Sequence, residues 1–191
     1  CYASAPTAMN REHCIIGSSR CVAVSPSDTA PALIALDAQF VIRGSRRERV
    51  VDAQDFFMRP SVDIERMTIL KPGELLTTIR IPSTWADATF YYEKVEDRKS
   101  WDFALMTVAS AMRVSGGVIQ DARLAVNGVA PFPVRLDKAE DIVRGQTPSD
   151  DLGIAAGNVA TEGSEPLRHN AYKIDLMRNL VRRAIRATTE A

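Results

Sequence analysis

The chain has 191 residues, 46% of them apolar, with 24 Lys and Arg balanced by 24 Asp and Glu. That size and composition support a buried core and argue against a disordered chain; two small units are expected. Zero net charge gives no attraction for nucleic acid or an anionic membrane, no apolar run approaches the roughly 20 residues of a spanning helix, and the first residues lack the basic start and apolar centre of a signal peptide.

The chain begins with Cys1 rather than Met, which is expected of a processed piece or part of a longer chain. Cys1, Cys14 and Cys21 are the three cysteines. An odd count with no paired framework points to a reducing compartment, and the spacing fits no compact zinc pattern. Cys14 and Cys21 read as small buried hydrophobes. Residues 1–26 form a loop-rich lead-in. Ser25-Pro26-Ser27-Asp28-Thr29-Ala30-Pro31 then supplies capping residues and a first-turn proline for a short helix over 28–37. Segments 39–43 and 48–51 flank the Arg43 to Arg47 turn as a hairpin, and Phe56 and Phe57 anchor a loop. Turn chemistry at Pro72-Gly73 and alternation over 75–81 predict strand, turn, strand across 67–82. The polar, proline-ended stretch 82–88 is the expected boundary between units.

In the second unit, 90–96 alternates as a strand, and 104–114 and 118–129 pair as long antiparallel strands through Gly116-Gly117. Segments 134–144, 150–161 and 170–189 have helical periodicity, the last placing Ile174, Met177, Leu180, Val181, Ala184 and Ile185 on one face. The fold class is therefore α+β, a small antiparallel sheet covered by helices.

Pattern alone yields no catalytic constellation. His13 and His169 read as surface or capping residues, and neither a Gly-x-Gly-x-x-Gly run nor a phosphate loop occurs. Asp28 reads as a helix cap, Lys94 as a solvated strand lysine, and Ile69 and Leu70 as core strand residues. Trp101, Phe103 and Tyr92 suit a core or interface, Arg98 and Asp102 a weak pair, and Arg182, Arg183 and Arg186 the negative end of a helix dipole.

Several motifs nevertheless occur in a telling order. Asn10-Arg11-Glu12-His13-Cys14-Ile15-Ile16-Gly17 precedes Ser25-Pro26-Ser27-Asp28. Leu70-Lys71-Pro72-Gly73-Glu74-Leu75-Leu76 and Tyr92-Glu93-Lys94-Val95, with Arg98 and Asp102-Phe103-Ala104, come next. Gly128-Val129-Ala130-Pro131, with Pro133 and Arg135, and Asn170-Ala171-Tyr172-Lys173 close the series. Over residues 10 to about 185 this resembles the C-terminal portion of the FAD-binding medium subunit of the xanthine dehydrogenase and aldehyde oxidoreductase family of molybdenum hydroxylases.

The resemblance implies that residues 1–84 end an FAD-binding domain, as the C-terminal part of its second subdomain. Residues 85–191 would form the flavoprotein C-terminal domain. It implies an FAD site formed in part by Ser27, Asp28, Ile69, Leu70 and Lys94, with Asp28 accepting hydroxyl protons and Lys94 placing a positive charge near the flavin ring. It further implies partners: a large subunit with the molybdenum-pterin cofactor, where aldehydes or purine-like heterocycles are oxidised, a small 2Fe-2S subunit, and an N-terminal FAD-binding portion with the glycine-rich pyrophosphate loops. The complete subunit would be an electron-transfer component that is inactive alone, cytoplasmic or, in an exported complex, periplasmic. In the aldehyde oxidoreductase branch a 4Fe-4S cluster lies near the position of Cys1. One thiolate cannot hold such a cluster, so Cys1 is a ligand only with upstream partners, and otherwise a surface thiol or a lipid-modified cysteine. The competing reading is a non-catalytic docking module between subunits.

Overall fold

The computed structural model describes residues 1–17 and 20–189. Helix α1 (Ala30–Ala35) starts with Pro31 in its first turn. Ser27, rather than Asp28, supplies the capping oxygen: its Oγ accepts from the Ala30 amide at 3.2 Å. Just past the C-cap Leu36, Asp37 takes a left-handed φ of 48°. Two hydrogen bonds hold this uncommon non-glycine conformation, with Trp85 Nε1 donating to Asp37 Oδ2 at 2.8 Å and Arg123 Nε to Oδ1 at 3.0 Å.

Strands β1 (Gln39–Arg43) and β2 (Glu48–Asp52) form the expected hairpin, and β3 (Leu75–Arg80) pairs antiparallel with the other side of β1. The first arm of the predicted strand-turn-strand does not form a strand. Between 67 and 70 there is one bridge, Phe57 to Thr68, made by the Ile69 amide on the Phe56 carbonyl and the Met58 amide on the Met67 carbonyl; the ladder goes no further because the Arg49 guanidinium takes the Ile69 carbonyl at 3.2 Å. This backbone is satisfied by a side chain and a loop instead of a ladder.

The second sheet has the order β4-β5-β6-β7, all antiparallel. Its strands are β4 (Thr89–Val95), β5 (Met106–Ser115), β6 (Val118–Asn127) and β7 (Val134–Arg135). Gly116 and Gly117, at φ 59° and 76°, make the tight β5–β6 turn. Residues 134 and 135 were expected to be helical. They pair with Val126 and Ala125 instead, and α2 (Asp137–Val143) begins only after that edge is used.

Helices α3 (Asp150–Ala160) and α4 (Tyr172–Arg186) complete the cover. Met106, Val108, Leu124 and Val126 on one sheet face pack with Met177, Leu180, Val181 and Ile185 of α4. Truncating any of these to Ala would cost about 2–5 kcal/mol. Gly157 lets α3 approach α4, since a Cβ there would sit 2.5 Å from the Arg178 carbonyl oxygen.

Side chains alternate across a strand, so Ala125 faces away from those helices and packs with Ile34 of α1. Helix α1 thus lies on the second sheet, against β5 and β6. This contact between the two expected units positions the site.

Arg182 and Arg183, expected only to suit the helix dipole, reach across the fold to Asp150 and Glu93, both at 2.5 Å. Trp101 and Phe103 are exposed rather than core residues, at 95% and 71%.

Candidate functional site

The Ser27-Asp28 turn leads into α1 and is fixed to the outer sheet face by three side chains from two strands. Asn127, at the end of β6, donates its amide to the Ser27 carbonyl at 2.6 Å. Tyr92 and Lys94 alternate on the same face of β4. The Tyr92 hydroxyl donates to the Asp28 carbonyl at 3.0 Å, and Lys94 Nζ donates to Asp28 Oδ2 at 2.9 Å. Ser27, Asp28 and Lys94, far apart in sequence, therefore meet.

Lys94 is fully committed. Its other acceptors are the Asp102 carbonyl at 2.7 Å and Glu96 Oε2 at 3.0 Å, so three acceptors face the three donors of an ammonium group. The hydrogen bond to Asp28 and then that to Glu96 push its pKa up to about 12. Flanked by two carboxylates, Lys94 organises the cluster; it does not present an isolated positive charge. Asp102 also closes the following loop, accepting from the Arg98 amide at 3.0 Å and from the Phe103 amide at 3.0 Å.

The turn rests on a second network. After Asn127, Gly128 has φ 78°, and a Cβ there would lie 2.8 Å from the Leu105 carbonyl oxygen. The Gly128 carbonyl accepts from the fully buried Lys173 Nζ at 2.7 Å, and the same ammonium donates to the Glu12 carbonyl at 2.7 Å. Asn170 holds the carbonyls of His13 and Cys14 at 3.0 and 2.9 Å, and the Tyr172 hydroxyl holds that of Arg11 at 3.1 Å. The amides of Ile15 and Ile16 both donate to the Val129 carbonyl, and that of Ser25 to Ala130. Three motifs spaced along the sequence, at 10–17, 128–131 and 170–173, are thus mating parts of one scaffold beneath the turn. Burial lowers the Lys173 pKa to about 8 and raises that of Cys14 to about 11.

The remaining expected site residues lie elsewhere. Ile69 and Leu70 are half-buried against the smaller core of Ile34, Phe40 and Phe56, and no hydrogen bond joins them to Asp28 or Lys94 among the described residues. Cys1 is exposed, and among the described residues no group of three His, Cys, Asp or Glu side chains could hold a metal. His169 is exposed, its amide donating to Asn10 Oδ1 at 3.0 Å, while His13 Nδ1 is buried without a partner. Arg98 and Asp102 are 3.9 Å apart, a weak pair.

Sequence reasoning missed Asn127, the hydrogen-bonding role of Tyr92, and Glu96. The available signal was Asn127 itself, a polar residue ending an apolar strand immediately before a glycine. It is only 2% exposed, and its Oδ1 has no partner.

The fold and this cluster define an α+β protein that holds one polar turn rigidly on the outer face of an antiparallel sheet. A family model described as the CO dehydrogenase flavoprotein C-terminal domain matches residues 90–188, and one described as the FAD binding domain in molybdopterin dehydrogenase matches residues 9–84. The chain belongs to this flavoprotein family, so the resemblance carried by its motifs holds.

The carbon monoxide dehydrogenase medium chain of Hydrogenophaga pseudoflava is 33% identical over 167 residues, 85% of this chain and 56% of the relative. The aldehyde oxidoreductase FAD-binding subunit of Escherichia coli (strain K12) is 35% identical over 133 residues, 69% of this chain and 40% of that one. A solved structure of the Hydrogenophaga pseudoflava carbon monoxide dehydrogenase superposes with a TM-score of 0.76 at 31% identity, covering 86% of this chain and 57% of that one. Quinoline 2-oxidoreductase from Pseudomonas putida 86 gives 0.72 at 25% identity, covering 86% and 57%. The chain spans about half the length of these relatives.

Proposed function

We propose that this chain is the C-terminal portion of an FAD-binding electron-transfer subunit of a molybdenum-containing hydroxylase that oxidises aldehydes or purine-like heterocycles. In this reading residues 1–84 end the FAD-binding domain and residues 85–191 form the flavoprotein C-terminal domain. The partners are a large subunit with the molybdenum-pterin cofactor, a small subunit with 2Fe-2S clusters, and an N-terminal FAD-binding portion. Family membership and the names of the relatives support it.

The observation that carries the reading is the Asp28–Lys94 contact. It joins a turn within the segment matched by the FAD-binding model to a strand within the segment matched by the flavoprotein model. The donor set fits a flavin. Asp28 is partly exposed, and its Oδ1 takes no hydrogen bond among the described residues. It is therefore an acceptor available to the hydroxyls of a ribityl chain. Asn127 adds a buried, unpartnered carbonyl oxygen beside the turn.

FAD, when bound, would supply the electron-carrying chemistry. The chain's own work is positional. Lys94 orients the Asp28 carboxylate, Asn127 and Tyr92 fix the Ser27 and Asp28 carbonyls, and the half-buried Ile69 and Leu70 would supply apolar contact to the ring. Nothing on the chain has to move a proton for substrate hydroxylation. Cys1 is assigned to a 4Fe-4S cluster only in a longer protein that supplies further thiolates.

The test is FAD content, read by absorbance after gel filtration of the full-length protein assembled with its partners. Asp28→Ala and Lys94→Met should each lose FAD at least tenfold more readily than the parent, while residues 1–191 produced alone should be colourless and inactive. Full FAD retention by both variants would overturn the site. It would favour a docking module, which keeps its flavin and separates only when surface apolar residues change.

A further inference from the structure

Opposite charges balance over the whole chain, yet they are unevenly placed. Residues 43–49 and 71–74 hold five cations and two carboxylates, a local surplus of three positive charges that the rest of the chain must offset. The two segments are adjacent turns at one end of the three-stranded sheet, where Arg43 of β1 pairs with Leu75 of β3. Between them lies an open cleft of about 480 Å³, lined by Arg46, Arg47 and Lys71 and by the backbones of both turns.

The cleft walls are held in place. Arg49 grips Glu74 at 2.8 Å, and the same carboxylate accepts from the Lys71 amide at 2.9 Å, which lowers the Glu74 pKa to about 2. The turns close with Gly44 N to Arg47 O at 2.9 Å and Glu74 N to Lys71 O at 2.9 Å. Glu74 is thereby spent on the scaffold. Among the described residues Arg43, Arg46, Arg47 and Lys71 make no salt bridge, and all four are exposed.

A compact phosphate site would converge buried donors on one point. Here three long cationic side chains rim an open cleft, and 70% exposed Leu75 lies beside it. A cationic rim next to an apolar residue is complementary to a carboxylate-rich protein surface. We propose that the Arg46–Arg47–Lys71 cleft is a docking surface for an acidic protein partner. It stands on charge and shape alone and is independent of the flavin reading. It does place the partner close to the Ile69-Leu70 segment, because Arg49 bonds both Glu74 and the Ile69 carbonyl.

The experiment uses the full-length protein and poly-L-glutamate as the probe, with binding followed by calorimetry at about 20 and about 200 mM salt. The parent should bind and weaken at least tenfold at the higher salt. Arg46→Glu/Arg47→Glu/Lys71→Glu should abolish binding at low salt with FAD content and thermal stability unchanged, and Lys138→Glu on α2 should bind as the parent does. No binding by the parent, equal binding by the triple variant, or equal loss in Lys138→Glu would each overturn the proposal. So would saturable binding of inorganic pyrophosphate that displaces the probe, which would make the cleft a small-anion site. A parent protein that binds poly-glutamate but holds no FAD would instead count against the flavin reading alone.

Discussion

Gly128→Ala tests the scaffold beneath the Ser27-Asp28 turn. Two penalties add at this position. A left-handed backbone costs an alanine about 1–2 kcal/mol, and φ here is 78°. The new Cβ would also sit 2.8 Å from the Leu105 carbonyl oxygen and 3.2 Å from Met106 Cα. Both are backbone atoms of the β5 entry and cannot rotate away, so relief requires a main-chain shift costing about 1–3 kcal/mol. The sum is about 2–5 kcal/mol. For a chain of this size each kcal/mol lowers Tm by about 2–4 °C, giving a fall of about 4–20 °C in thermal unfolding followed by circular dichroism. Gly117→Ala is the control, because its φ is 76° with nothing within 4 Å of a Cβ; it should carry only the first penalty. If Gly128→Ala proves no more costly than Gly117→Ala, the close approach of Gly128 to Leu105 is not what fixes that corner.

The joint at the other end of α1 should be sensitive too. Trp85 is 1% exposed and donates to Asp37, so Trp85→Phe removes a buried hydrogen bond and should destabilise by about 1–3 kcal/mol in urea unfolding. An unchanged midpoint would show that Arg123 alone holds the carboxylate. Asp37→Gly relieves the left-handed strain but breaks both bonds, and the loss of the bonds should win. Lys173 predicts a pH dependence. Burial depresses its folded pKa to about 8 against a usual value of 10.5, so between those values the unfolded chain binds more protons and the contribution of Lys173 to stability should rise with pH by up to about 3 kcal/mol, opposed above about pH 9 by Cys14, whose thiol is held up to about 11. The groups facing it are Glu12, Cys14 and Arg11. Lys173→Met should lack this rise relative to the parent, and identical pH slopes would refute the argument. At the site, Asn127→Ala should release FAD faster and Tyr92→Phe should do so more mildly, since one hydrogen bond is worth about 0.5–1.5 kcal/mol net. Equal FAD off-rates across parent and variants would rule out their positioning role.

Much of this molecule is legible along the chain because the signals are local. Alternation and the Gly116-Gly117 pair gave the β5–β6 hairpin, and the spacing of Met177, Leu180, Val181, Ala184 and Ile185 gave the buried stripe of α4. Pro31 and the polar run before it gave α1. Local signals fail where a distant group takes over a backbone hydrogen bond. Arg49 claims the Ile69 carbonyl, so residues 67–70 do not form a strand; β6 claims residues 134 and 135, so α2 starts later. The same limit applies to the capping oxygen, which pattern assigned to Asp28 because nothing nearby competes for its carboxylate. Lys94, 66 residues away, does compete, and Ser27 takes the cap.

The sequence by itself determined the fold class and the family, and through motif resemblance it named Ser27, Asp28 and Lys94 as candidates for one site. Only the tertiary structure decided that Asp28 and Lys94 touch, and how. Docking α1 on the outer face of the second sheet brings Asn127, Tyr92 and Lys94 under one turn, and the buried Lys173 ties the 10–17 segment to Gly128. The free energy of such contacts depends on groups that share no local pattern and meet only when the sheet and helices have closed around them.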